Sequence, residues 1–241
     1  MSTEHIPAAI TGQPAAVLPP LGHIPVELHS GDRMSREEFH RLYEQTPEDF
    51  KAELIGGIVY VASPLKIAHG QPHLLLSAVL ATYQGHTPGV EASDNTTLVL
   101  SEEGEPQPDL YLRVLAEYGG QSSTTKDDYV SGAPELVVEI AHSSRAIDLH
   151  AKKDDYARYG VREYLVHCVK EKELRWFDLA AGVGLQPDSA GIYRIQTFPG
   201  LWINGPALLA QNYSQLIETL DQGLATAEHA AFVEELAARV K

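Results

Sequence analysis

The chain is 241 residues long and 44% hydrophobic, with a single cysteine, Cys168, so an internal disulfide is excluded. Its formal charge is −15, which repels nucleic acid at long range and requires local compensation wherever the two are to meet. No run approaches the length of uninterrupted apolar sequence that a membrane helix needs, and Glu4 together with Pro7, Pro14, Pro19 and Pro20 speaks against a secretory leader. No membrane association and a cytoplasmic location are therefore expected.

Residues 1–30 are rich in Pro and Ala and show no helical or strand period, so a mobile arm is expected there. Residues 31–241 are expected to form a single domain with a helical C-terminal tail. Ser35 reads as a helix N-cap with Glu38 three residues on, and predicts a helix to about Gln45. "KAELIGGIVYVASP" predicts a hairpin around Gly56-Gly57. His69–Tyr83 predicts a well-packed helix. Strands are expected at Thr96–Leu100, Leu110–Val114, Leu136–Ile140 and Glu163–Val169, with a helix over Arg145–Tyr159 closed by Gly160. "LRWFDL" and "GIYRIQTF" predict further strands, and the chain is helical from Pro206 onward. The fold class is α/β, one mixed β-sheet flanked by helices.

Charge is unevenly placed. Ser101–Ala141 holds nine acids and two bases, whereas His142–Arg175 holds eight of the 18 Lys and Arg residues against six acids. Within the apolar run Leu136–Ile140 stands one acid, Glu139. It shares a strand face with Val137, and a carboxylate there is costly unless paired, metal-bound or at the strand's open end. On the following helix, taking Asp148 as zero, Lys152 falls at about 40° and Lys153 at about 140°. Lys152 thus lies in the stripe that faces the sheet, Lys153 at its edge. A lysine in a packed stripe must snorkel or meet an acid, and Glu139 is a suitable acid. Upstream, "QPDL" sets Asp109 at the start of another strand. Two carboxylates and a lysine at strand ends suit a hard divalent cation and an activated water, as phosphodiester hydrolysis requires.

"QPDL", "GAPELVVEIAHSS", "DLHAKKDDYARYGVREYLV" and "FPGLW" together resemble the Uma-two restriction endonuclease family, within the PD-(D/E)XK nuclease superfamily. The resemblance runs from about Met34 to the C-terminus. It implies a restriction-endonuclease-like core, Mg²⁺-dependent DNA cleavage with Mn²⁺ as a substitute, and a homodimer. The superfamily's two metal-binding acids fall on Asp109 and Glu139. Its lysine two residues after the second acid is missing, since Ala141 stands there. The family's D-L-x-x-K pattern places that lysine at Lys152, the residue the helical wheel also selects. The family's early acid falls on Glu53. His69 and Gln107 match further family positions and are expected as substrate contacts.

Plainer readings exist for each residue. Asp109 alone also reads as a turn cap, Glu139 as an ion-pair partner, Lys152 as a snorkelling helix lysine and Glu53 as an exposed hairpin acid. Gln186-Pro187-Asp188 repeats the QPD triplet but lies in a Gly/Ala/Ser turn with no apolar run after it, so it reads as a turn. His69 and His73 are spaced i, i+4 without an intervening Glu, against a zinc site. The leading functional expectation is a DNA endonuclease. The alternatives are a catalytically silent binding or assembly module of the same fold, which the charge favours, and a hydrolase of other phosphate esters.

Overall fold

The computed structural model describes residues 27–240. Residues 1–26 of the expected arm lie outside the described residues. Just after them, Gly31 N–H donates to Val59 O and Val59 N–H to Asp32 O, both at 2.9 Å, so the chain runs alongside the hairpin. Leu28 is buried there against Phe39, Ala52, Leu54 and Val59.

Helix α1 (Arg36–Tyr43) starts where expected, with the Ser35 hydroxyl accepting from Glu38 N–H. Strands β1 (Ala52–Ile55) and β2 (Ile58–Val61) pair through Gly56 and Gly57, whose φ angles of +55° and +72° are those a two-residue hairpin turn demands. Helix α2 (Ile67–His86) begins earlier than expected and carries Pro72 inside it, in the second turn, at the loss of one i→i−4 hydrogen bond. Strand β3 (Val90–Asp94) was not expected. It is a half-exposed edge strand without an apolar signature, held to its neighbour partly by an ion pair between Glu91 and Arg113. The strand expected over Thr96–Leu100 is only β4 (Leu98–Val99). It joins β6 (Ser123–Thr124) and β7 (Val130–Ser131) in a small sheet that follows β5 (Leu110–Val114) in part of its sequence.

β8 (Leu136–Ala141) leads into the lysine helix, which is not the continuous α-helix expected. It comprises α3 (Arg145–Ile147), a π-helical turn over Asp148–Lys152, and α4 (Lys153–Tyr159), ended by Gly160 at φ +97°. The Tyr164 hydroxyl donates to Asp148 O at 3.0 Å and so competes with the ordinary helical bond at that carbonyl. β9 (Glu163–Cys168), β10 (Glu173–Asp178), β11 (Val183–Leu185), β12 (Ile192–Arg194) and β13 (Trp202–Asn204) follow, then α5 (Gly205–Leu209), α6 (Tyr213–Leu224) and α7 (Ala227–Arg239). The second QPD triplet is a turn: Asp188 accepts from Ala190 and Ile192 N–H and pairs with Arg194.

The main sheet has the order β11-β10-β9-β8-β5-β3, mixed because β8 and β9 are parallel while their outer neighbours are antiparallel. Strand alternation divides the core as expected. Leu136, Val138 and Ile140 pack with α2, α6 and α7 residues on one face. Val137 and Ala141 pack with Tyr156 and Tyr164 on the other. No helix among the described residues is long and apolar enough to cross a membrane.

His167 on β9 is 5% exposed and its Nδ1 is buried without a hydrogen-bond partner among the described residues. Burial pushes its pKa down to about 4. A histidine depressed in the fold binds its proton in the unfolded chain first, so stability is full above pH 6.5 and falls as the pH drops toward 4. That titration is worth on the order of 3 kcal/mol. Replacing His167 by Phe is expected to flatten this part of the stability profile, measured by urea unfolding between pH 4 and 7.5.

Candidate active site

The sheet register brings the two acids together. β5 and β8 pair Leu110 with Val138 and Tyr111 with Val137, and one further step sets Asp109 opposite Glu139. Strand alternation puts both on the face that carries Tyr111 and Val137. Asp109 is tied to β8 directly, its Oδ2 accepting from Ile140 N–H at 2.7 Å. Its Oδ1 lies 3.1 Å from His69 Nε2, at the start of α2. Glu139 sits two residues inside the end of β8 and is 4% exposed.

Lys152 enters from the π-helical turn above this face. Its Nζ donates to Glu139 Oε1 at 3.0 Å and lies 2.8 Å from Glu53 Oε2. Glu53 reaches the same point from β1. The hairpin is placed by a two-bond bridge between Leu54 and Glu105, and by Asp155 of α4, whose carboxylate accepts from Gly56 N–H. Glu53 Oε1 also accepts from Gln107 N–H at 2.7 Å, two residues before Asp109. Tyr156, one turn after Lys152, donates its hydroxyl to Glu139 Oε1 at 3.0 Å. Lys153 points elsewhere, with its ammonium 5.1 Å from the Phe177 ring centre.

The electrostatics follow from burial and crowding. Burial pushes the Glu139 carboxyl well above its ordinary pKa; Lys152 opposes this, while Asp109, Asp148 and Glu53 add to it. Burial works against the Lys152 charge as well, but Glu139, Glu53 and Asp148 outweigh it and hold the ammonium well above the usual lysine value. For Asp109 burial is again the largest influence, yet its bonds with His69 and Ile140 N–H and the Lys152 charge bring it below the ordinary value. Asp148 is raised to about 6, chiefly by burial.

Of the residues expected from sequence, Glu53, Asp109, Glu139 and Lys152 lie in one cluster, with His69 at its rim. Gln107 adjoins it through its backbone only. Its side-chain amide donates to Tyr43 Oη and Thr97 Oγ1, each at 3.1 Å, and so braces the scaffold. Three neighbours were not singled out as site residues from sequence. His73 Nε2 meets Asp109 O at 3.1 Å, Tyr156 caps Glu139, and Asp148 is buried 3.9 Å from the Lys152 ammonium. The spacing of Asp148 and Tyr156 four residues either side of Lys152 was a usable signal, since such residues share a helix face.

The donors suit a hard divalent cation in kind: two carboxylates side by side, a third across from them, and Glu139 Oε2 without a hydrogen bond among the described residues. Among those residues no three His, Cys, Asp or Glu side chains stand as a ready cage, because the Lys152 ammonium lies between the acids. Asp109 and Glu139 are the residues that would hold the ion.

A mixed α/β core that presents acids from adjacent central strands, with a lysine reaching them from the next helix, places the chain in the restriction-endonuclease-like fold class that the sequence resemblance implies. The chain belongs to the Uma2 family, described as "Putative restriction endonuclease", which it matches over residues 36–208. Among solved structures it is similar to one from Anabaena variabilis ATCC 29413, described as "a putative nuclease belonging to DUF820". The TM-score is 0.60 at 12% identity, covering 74% of this chain and 98% of that one, so the likeness is one of fold. No curated protein matches the chain.

Lys152→Ala leaves buried acids without their cation and is expected to cost about 3–5 kcal/mol, against less than about 1 kcal/mol for Lys153→Ala. Urea unfolding at pH 7.5 compares them, and a reversed ranking would remove Lys152 from the centre of the cluster.

Proposed function

We propose that the chain is a divalent-metal-dependent endodeoxyribonuclease, folded as one restriction-endonuclease-like domain from residue 31 onward. The observation that carries this reading is the cross-strand placement of Asp109 and Glu139 with the Lys152 ammonium against them. Mg²⁺, or Mn²⁺ in its place, would supply an activated water and offset charge on the phosphodiester. Asp109 and Glu139 hold the ion. Lys152 provides the positive charge that the attacked phosphate needs, and Glu53 orients it. His69, 7% exposed, fixes the Asp109 carboxylate from the start of α2, and any contact it makes with substrate passes through that carboxylate.

A chain carrying −15 approaches DNA against its own field, so neutralisation has to come from the ion and from the bases clustered between His142 and Arg175. That charge also favours the second reading, a silent binding or assembly module of the same fold. Supercoiled plasmid incubated with the protein and Mg²⁺ or Mn²⁺ separates the two. Nicking or cutting is expected, and Asp109→Ala or Glu139→Ala should lower it by at least about 100-fold. Undiminished cutting by both variants would sink the site, and no cutting with either ion would leave the module.

We also propose a homodimer formed through α2. Its 20 residues include no Asp, Glu, Lys or Arg, so two acidic copies can meet there without apposing like charges. Ile67 and Leu74 are 78% and 69% exposed, on one stripe with Gln71, Ala78, Ala81 and Gly85. In an antiparallel two-fold pair with Leu74 against Ala78, Ile67 meets Gly85 and Gln71 meets Ala81, so each larger side chain faces a small one. Sedimentation is expected to show a concentration-dependent dimer that Leu74→Asp converts to monomer; a monomer at all concentrations refutes it.

A further inference from the structure

Both Asp109 carboxylate oxygens are engaged, one with His69 and one with Ile140 N–H. Glu139 Oε1 already takes two donors, Lys152 and Tyr156. A divalent cation on Glu139 Oε2 would stand beside the ammonium on Oε1, and burial leaves their repulsion only weakly screened. A metal ion therefore takes Glu139 at lower cost if the ammonium can move away from it.

One acceptor stands ready. Asp148 is 1% exposed; its Oδ2 accepts from the Ser144 hydroxyl at 2.6 Å, and its Oδ1 is buried with no hydrogen-bond partner among the described residues. That bare oxygen lies 3.9 Å from Lys152 Nζ, just outside bonding distance. A buried carboxylate oxygen left unsatisfied is costly, so its retention calls for an explanation. The π-helical turn holds both residues at its two ends, and Tyr164 pins the Asp148 carbonyl from below.

We propose that Asp148 is a positioning residue that receives the Lys152 ammonium when a divalent cation takes Glu139. Lys152 then has two seats: Glu139 without metal, Asp148 with it, while Glu53 remains within reach of both. This rests on the reading that Asp109 and Glu139 hold a divalent ion. Asp148 thus lowers the cost of clearing the site, and its effect on metal binding passes through the lysine.

That route is what a titration of Mn²⁺ into the DNA-free protein tests, by calorimetry on the wild type, Asp148→Asn, Lys152→Met and the double variant, each checked for folding by circular dichroism. Asp148→Asn is expected to weaken Mn²⁺ binding by about five- to tenfold in the wild-type background and by less than about twofold beside Lys152→Met. Equal weakening in both backgrounds, or none in either, overturns the proposal and leaves the metal reading standing. No Mn²⁺ binding by the wild type or by Lys152→Met overturns both. Should a variant not fold, the wild type alone decides. The ¹⁵N resonance of the Lys152 ammonium is expected to move on addition of Mg²⁺, and an unmoved resonance under saturating ion refutes the change of seat.

Discussion

The Lys152 ammonium bonds Glu139 of β8 and approaches Glu53 of β1 to 2.8 Å, with Lys152 and Glu139 both buried. Four carboxylates, Glu53, Asp109, Glu139 and Asp148, converge on this region with one lysine among them. Without it the acids would repel one another and take up protons, and the hairpin, the central strand and the helix would lose their common point. Buried ion pairs of this kind are weak evidence of stability, because desolvation offsets most of the attraction. In a fold with ample apolar core, stability alone therefore does not account for the cluster. The same acids that a stability argument would replace with leucine are the ones that can hold a cation.

The cluster exists because three geometries agree. The antiparallel register of β5 and β8 sets the two acids opposite each other, and strand alternation turns both to one face. The two-glycine turn brings β1 back against the segment before Asp109, where the Leu54–Glu105 bridge holds it. α4 is then joined to that turn by Asp155 and Gly56. Each joint ends on a backbone N–H, and two of the cluster acids, Asp109 and Glu53, also accept from backbone N–H groups of neighbouring segments. Glu139 Oε2 and Asp148 Oδ1 are left without a hydrogen bond among the described residues.

Much of this was legible in the sequence. The strands over Leu110–Val114 and Leu136–Ile140 announce themselves by apolar side chains, and the split of the β8 residues between two core layers follows from alternation alone. Glu139 stands out because a charge interrupts that pattern. The selection of Lys152 over Lys153 rested on position in a regular helix, and the structure directs the two side chains to different partners although the helix is not regular there. What stayed hidden depends on contacts between distant segments. β3 is held by cross-strand pairing and the Glu91–Arg113 ion pair, neither visible from its own five residues. The π-helical turn is stabilised by Tyr164, from the following strand. The amide of Gln107 is drawn away from the acids by Tyr43 and Thr97, one on a helix far upstream.

The position of the lysine has a structural reason as well. Two residues after Glu139, on the same strand face, stands Ala141, fully buried among Val137, Val166, Tyr164 and Cys168. A lysine there would drive four methylenes and a charge into that packing, against the partner strand β9 at Cys168. An alanine keeps β8 and β9 in close contact, and the charge arrives from the helix packed over them. This exchange separates two requirements that a strand lysine would tie together. The register of the central strands fixes the acids, whereas the ammonium hangs on a helix whose winding is locally relaxed. A group carried on a π-helical turn, between acids on two sides, can change partner without disturbing a single sheet hydrogen bond.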